Sequence, residues 1–358
     1  MRAAIVVAAL LLVVLACVVL GRVGVIRGRT SPVPPHLAGQ GSGLLAGAPR
    51  PAGVRGPSDG GRARSAHDAR PVTLGWGSGQ GQVGRRRDPE SVSEGPMAFT
   101  HGKDGGLYVL DQVNGRILRR GPDGTWLAPI ELSGVTAQDL RVDATGGVAV
   151  LDRLGDRSLQ RYDAAGTAQG SVPLAQLGLV DAAGATGLFD NDSGGLFIEE
   201  SLQGQGKRVV HSIDGGPVLP GRPSRDGAQL VSAAIVSRTA GQLVVRALDV
   251  GGTTRWESPI VTTPSIVSVI LCDTDSDGNV YVGVIHARST HGSTELSDEQ
   301  LDVWKLTRDG KTSAHAALTH PASGLDTLHE LSVGADGTVW WMHPAANDAG
   351  EVIEAVPL

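Results

Sequence analysis

Six times along this chain a short apolar run follows a tight turn rich in Gly and Asp. The runs are Leu107-Tyr108-Val109, Val148-Ala149-Val150, Leu196-Phe197-Ile198, Leu243-Val244-Val245, Val280-Tyr281-Val282 and Val339-Trp340-Trp341. Their starts are 41, 48, 47, 37 and 59 residues apart, the spacing of four-stranded sheets repeated around an axis. The pattern predicts an all-β chain with a six-bladed β-propeller over residues 91–358. Each blade reads as strand, hairpin, strand, turn, strand. The first runs from Met97-Ala98-Phe99 through Asp104-Gly105-Gly106 and Leu107 to Asp111, then Arg116 to Arg119. The second repeats it from Asp139 to Tyr162.

Upstream the pattern changes twice. Ala3 to Leu20 is an unbroken apolar stretch of 18 residues, about 27 Å as a helix, close to the roughly 30 Å of a hydrocarbon core. Residues 1–21 therefore read as a targeting or anchoring segment with three open fates: a retained membrane anchor, a cleaved signal, or lipidation at Cys17. The rest of the chain is expected at the cell membrane on its extracytoplasmic side, or secreted or periplasmic, although Arg22, Arg27 and Arg29 just beyond the run argue against export by charge bias alone. Residues 22–90, rich in Gly, Pro, Ser and Arg, read as a disordered stalk. Within them Val72-Thr73-Leu74-Gly75-Trp76 stands out as a strand, and a propeller ring needs one to join its last blade.

Composition refines this picture. Gly is 51 of 358 residues and aromatics are 3%, so a core of Val, Leu, Ile and Ala on short strands is expected. Residues 1–87 carry twelve Arg against two acids; the remainder carries 19 bases against 35 acids. A domain so acidic repels phosphate backbones, and no nucleic-acid partner is expected. With only Cys17 and Cys272, no disulfide lies within the repeats.

The repeats over about residues 92–358 resemble the NHL-repeat propellers, and blade 1 more closely resembles the senescence-marker and gluconolactonase family of six-bladed propellers. The likeness rests on Glu94-Gly95-Pro96, on Leu107-Tyr108 to Asp111, and on Gly115-Arg116-Ile117. In that family the Glu of Glu-Gly-Pro is one ligand of a divalent metal over the channel, joined by an Asn and an Asp from later inner strands. Glu94 matches the first ligand. Ala185-Thr186-Gly187 stands where the Asn-Gly pair is expected, and Ile270-Leu271 or His329-Glu330 where the Asp-Gly pair is expected. The resemblance thus implies a metal-dependent lactonase or esterase-like hydrolase, with one ligand of three in place.

Two sets of residues are candidate metal ligands. Inner strands of a propeller start near one mouth of the channel, which would gather Glu94, Asp139, His329 and Glu330 around Ca²⁺ or another divalent cation. Asp273, Asp275 and Asp277 alternate before Gly278, as at the start of a Ca²⁺ loop, but Tyr281 and Val284 stand where such loops place further acids. An acidic turn explains the same residues. Asp190-Asn191-Asp192-Ser193-Gly194 is a weaker copy of that pattern. No nucleophile elbow is present, and no Cys/His cluster has zinc spacing. The charged insertion from Ala287 to Glu299 reads as a contact loop. The leading expectation is a non-enzymatic binding or scaffold module presenting loops to a protein or glycan at the cell envelope; the hydrolase is the alternative.

Overall fold

The computed structural model describes residues 70–87, 93–132, 136–202, 207–262, 265–289, 296–319 and 325–358. These described residues fall within one compact unit. The expected anchor, the stalk up to residue 69 and the tip of the 287–299 insertion lie outside the described residues. Among the described residues no helix is long and apolar enough to cross a membrane.

Six sheets, antiparallel apart from one short outermost pair, make the six blades, each running from an inner strand outward. The inner strands are Ala98–His101, Asp139–Val142, Ala185–Asp190, Arg222–Pro223, Ser265–Thr274 and Leu331–Val333. Every inner strand turns into the second strand through the same hairpin. In blade 1, Gly105 donates its amide to the Gly102 carbonyl at φ +82°, where a side chain would be strained. Glycines 146, 194, 227, 278 and 337 repeat this in the other blades, at φ between +69° and +89°.

The repeat is displaced by one strand in blade 4. Its hairpin glycine is Gly227, so Leu230–Ser237 is the second strand and Leu243-Val244-Val245 falls in the third, Gln242–Leu248. The inner strand Arg222–Pro223 has two residues and a proline, and the second strand is Ala- and Ser-rich. Neither carries the apolar signature of the other blades, so the stronger Leu-Val-Val run stands in for them.

Val72–Trp76 pairs antiparallel with Gly350–Val356 and forms an outer strand of blade 6, followed by Gln82–Val83 in parallel. Residues 70–87 thus belong to the folded ring, not to the stretch 22–90 as a whole. The reason is packing: Leu74 and Val83 are fully buried beside Met342 and Ile353 of blade 6 and Phe99 and Val109 of blade 1. The seam is tight. A Cβ on Gly350 would lie 1.9 Å from the Leu74 carbonyl oxygen.

Five of the six seams between neighbouring blades hold a hydrophobic cluster drawn from both sides. Leu140 and Val150 meet Leu110 and Ile117 between blades 1 and 2; Leu151 and Leu159 meet Leu188 and Ile198 between blades 2 and 3. Clusters of the same kind join blades 4 to 5, 5 to 6 and 6 to 1. Each fully buried aliphatic side chain contributes about 1.5–3 kcal/mol. Among the described residues the seam between blades 3 and 4 has no such shared cluster: Phe189, Phe197 and Val210 are all from blade 3.

Candidate functional site

At the channel mouth the structure brings together two of the four residues expected there. Nδ1 of His329 lies 3.0 Å from Oδ1 of the fully buried Asp139. Asp139 also accepts hydrogen bonds from the amides of Leu140 (2.8 Å) and Leu188 (2.5 Å). Burial pushes its pKa up, but His329, Arg141 and the Leu188 amide outweigh that and hold it below the usual carboxylate value. Gly187 leaves the space: a Cβ there would sit 2.2 Å from the His329 ring.

Glu94 and Glu330 face other partners. Glu94 lies on Ser93–Glu94, paired in parallel with Leu325–Asp326, and its carboxylate meets Arg86 at 3.1 Å. Strand pairing upstream of blade 1 draws it to Arg86, a contact that the repeat alone does not anticipate. Glu330 lies near Glu351, helping to raise the pKa of that buried acid to about 7, an effect led by burial. Among the described residues no three His, Cys, Asp or Glu side chains converge on a point suited to a metal ion.

The Asp273–Asp277 turn is filled from within. Oδ1 of Asp275 accepts the amides of Asp277 and Asn279, and Oδ2 accepts the Tyr281 hydroxyl and the Asn279 side-chain amide, all at 2.8–3.0 Å. Asp273 turns to the amide of Thr274. Asp143, Asn191 and Asp336 cap their own hairpins in the same way. Of these acids, Asp275 is the cap of the blade 5 hairpin.

Three buried arginines tie the ring together, and the sequence reading passed over all of them. Arg141 of blade 2 donates to the Leu188 carbonyl of blade 3 and the Thr100 hydroxyl of blade 1. Arg225 of blade 4 donates to the carbonyls of Thr274 and Val333 in blades 5 and 6. Arg222 donates to the Cys272 carbonyl and makes a two-pronged contact with Glu199. Their one sequence signal is an Arg in or beside an inner strand. Cys272 is buried among these groups, and burial pushes its thiol up to about 12, which leaves it unreactive.

The seam between blades 3 and 4 opens into a cleft of about 670 Å³. One wall is Ser201, Arg208 and Val210; the other is Ser232, Ala234 and Val236 on the second strand of blade 4. Alternation turns Ala233 and Ile235 toward the core shared with blade 5, although both also border the cleft. The cleft forms because small residues stand where the other seams place Leu, Val and Ile, and because a buried ion pair replaces the shared apolar cluster. Four cations, Lys207, Arg208, Arg238 and Arg246, line it with two carboxylates, Glu199 and Glu257. Arg222 and Arg208 hold Glu199 at a pKa of about 2 against the effect of its burial, and Arg246 pairs with Glu257. Among the described residues Lys207 and Arg238 have no carboxylate partner. A second groove, about 530 Å³ between blades 2 and 3, is edged by Asp143, Asp163 and Asn191, acceptors already engaged in their own turns.

The sequence matches no known family model and no curated protein. Among solved structures the chain is similar to a hydrazine synthase chain from Kuenenia stuttgartiensis, at 13% identity over 68% of this chain and 72% of that one, with a TM-score of 0.47. It is similar to a catalytically inactive virginiamycin B lyase from Staphylococcus aureus with quinupristin, at 13% identity over 76% and 87% of the two chains, TM-score 0.43. It is also similar to a chain of a mitotic checkpoint complex, at 13% identity over 88% and 99%, TM-score 0.43. Likenesses this distant carry no argument about function. The six-bladed architecture rests on the chain's own sheets.

Proposed function

We propose that this chain is a binding module: a propeller, held at or exported across a membrane by its apolar N-terminal run, that engages a partner at the cell envelope through the seam between blades 3 and 4. One observation carries the reading. The channel's buried charges are committed to bonds between blades, while this one seam gives up its shared apolar cluster for an open cleft with a cationic lining. Stability that a scaffold would gain from a sixth cluster is forgone there, which is the usual mark of a functional surface. The alternative, a hydrolase using Ca²⁺ or another divalent cation, has only Asp139 and His329 in its favour.

Metal analysis of the purified full-length chain, with thermal melts in Ca²⁺ and in EDTA, separates the two. The binding module is expected to hold no stoichiometric metal and to melt at the same temperature in both. Stoichiometric metal that is lost in Asp139→Asn overturns the reading. Cell fractionation with and without residues 1–21 tests the membrane assignment, and an unchanged soluble pool refutes it.

A further inference from the structure

We infer that the cleft between blades 3 and 4 takes an extended polypeptide segment of a partner protein in which acidic and apolar residues alternate. This rests on the binding-module reading and adds the chemistry of the occupant. Three features converge on it. The blade 4 wall is itself a strand: residues 232–236 border the cleft, with Ser232, Ala234 and Val236 on the face turned from the blade 5 core and Val236 65% exposed. An extended segment lying along it places alternate side chains against Ala234 and Val236 and the rest toward the rim.

The rim is cationic on a domain that is otherwise acidic. Lys207 and Arg238 stand on opposite walls of the cleft, and their charges have no carboxylate partner among the described residues. The C=O of Val267 accepts from Arg238, which orders the guanidinium without neutralising it. Carboxylates arriving between them replace missing counter-ions, whereas a basic segment meets repulsion. A second copy of this chain is disfavoured, because a two-fold contact through the seam sets the same cations against each other.

The outer edge of blade 3 supplies the third feature. The blade has three strands, and its last, Lys207–Ser212, is covered by a single bridge from Val210 to Leu219. Val210 exchanges both of its outward bonds with Leu219, so Arg208, two residues earlier, also points its amide and carbonyl outward, and neither has a partner there among the described residues. A segment entering the cleft meets this free edge at its mouth.

The test is fluorescence anisotropy on the full-length protein with three labelled decapeptides: alternating Glu and Val, alternating Lys and Val, and alternating Glu and Ser. The Glu/Val peptide is expected to bind at least tenfold more tightly than either other, and to weaken as salt rises. Lys207→Glu combined with Arg238→Glu, both at the surface, is expected to cost at least tenfold. Ala234→Trp, which fills open space, is expected to cost the same without lowering the melting temperature. Equal binding of all three peptides, Glu/Val binding that neither variant weakens, or displacement of the peptide by polygalacturonate as strongly as by unlabelled peptide overturns the inference. If the protein is metal-free and no peptide binds, only this occupant fails; a channel metal removed by Asp139→Asn is the failure of the wider reading.

Discussion

Arg222 of blade 4 holds Glu199 of blade 3 in a two-pronged grip, Nε donating to Oε1 and Nη2 to Oε2, each at 3.0 Å. The guanidinium also lies over the Phe189 ring at 5.0 Å, and Thr186 donates a hydroxyl to the same carboxylate. Where the other seams are fastened by aliphatic side chains, this one is fastened by a charge pair.

Removing one partner of that pair strands the other charge in the interior. Arg222→Met is expected to destabilise the propeller by about 3–5 kcal/mol in urea titrations. The double variant Arg222→Met with Glu199→Met is expected to recover most of the loss. Equal losses in the single and double variants would show that the seam depends on something other than the pair.

Gly187 faces His329 at φ +153°, with no room for a methyl group. Gly187→Ala is expected to cost about 1–3 kcal/mol from backbone strain and displacement of the ring. His329→Ala in the same chain removes the steric part, so the double variant should melt above Gly187→Ala alone. A Gly187→Ala protein that melts like the parent would refute this account of the channel mouth.

Glu351 is buried, its Oε1 has no hydrogen-bond partner, and burial, with Glu330 and Asp348 adding to it, raises its pKa from 4.5 to about 7. The folded state therefore holds a proton that the unfolded state releases at lower pH. The stability this group contributes is complete below about pH 4.5 and is lost as pH rises through about 7. Glu351→Gln is expected to remove that decline and to be about 2–3 kcal/mol more stable than the parent at pH 8. Denaturant midpoints of the two proteins from pH 5 to 8 provide the measurement, and parallel curves would count against it.

The ring closes through Val72–Trp76, so the start of the chain decides whether blade 6 is complete. A protein beginning at residue 70 is expected to unfold cooperatively. One beginning at residue 91 leaves Ile353 and Met342 uncovered and is expected to lose at least 10 °C in melting temperature or to aggregate. Indistinguishable melts would mean that the closing strand adds nothing.

Much of the fold was legible because it depends on local chemistry. The Asp-Gly and Gly-Gly hairpins force tight turns wherever they occur, and the apolar triplets between them are strands in every blade. The exception is instructive: blade 4 hides its second strand in Leu230-Val231-Ser232-Ala233-Ala234, because a strand whose outward side lines a cleft does not need branched apolar residues there. The acids of Asp273–Asp277 fit a capped turn better than a cation loop in sequence, and both readings stay open there. Which one holds depends on where Tyr281 and Asn279 point their donors.

The candidate site was much less legible. Asp139 and His329 are 190 positions apart in sequence, and their meeting follows from repeat position. Glu94 lies four residues before Ala98, the blade 1 counterpart of Asp139, and pairs with Arg86 because the segment before blade 1 folds back beside it. By itself the sequence determined the strands, the hairpins, the sixfold count and the charge contrast between the two ends of the chain, since these depend on side-chain chemistry within a few residues. Only the tertiary structure decided which carboxylates meet guanidinium groups and which seam lacks a shared apolar core. Those outcomes depend on contacts between blades distant in sequence, where a single register or a small residue such as Ala234 sets the distance.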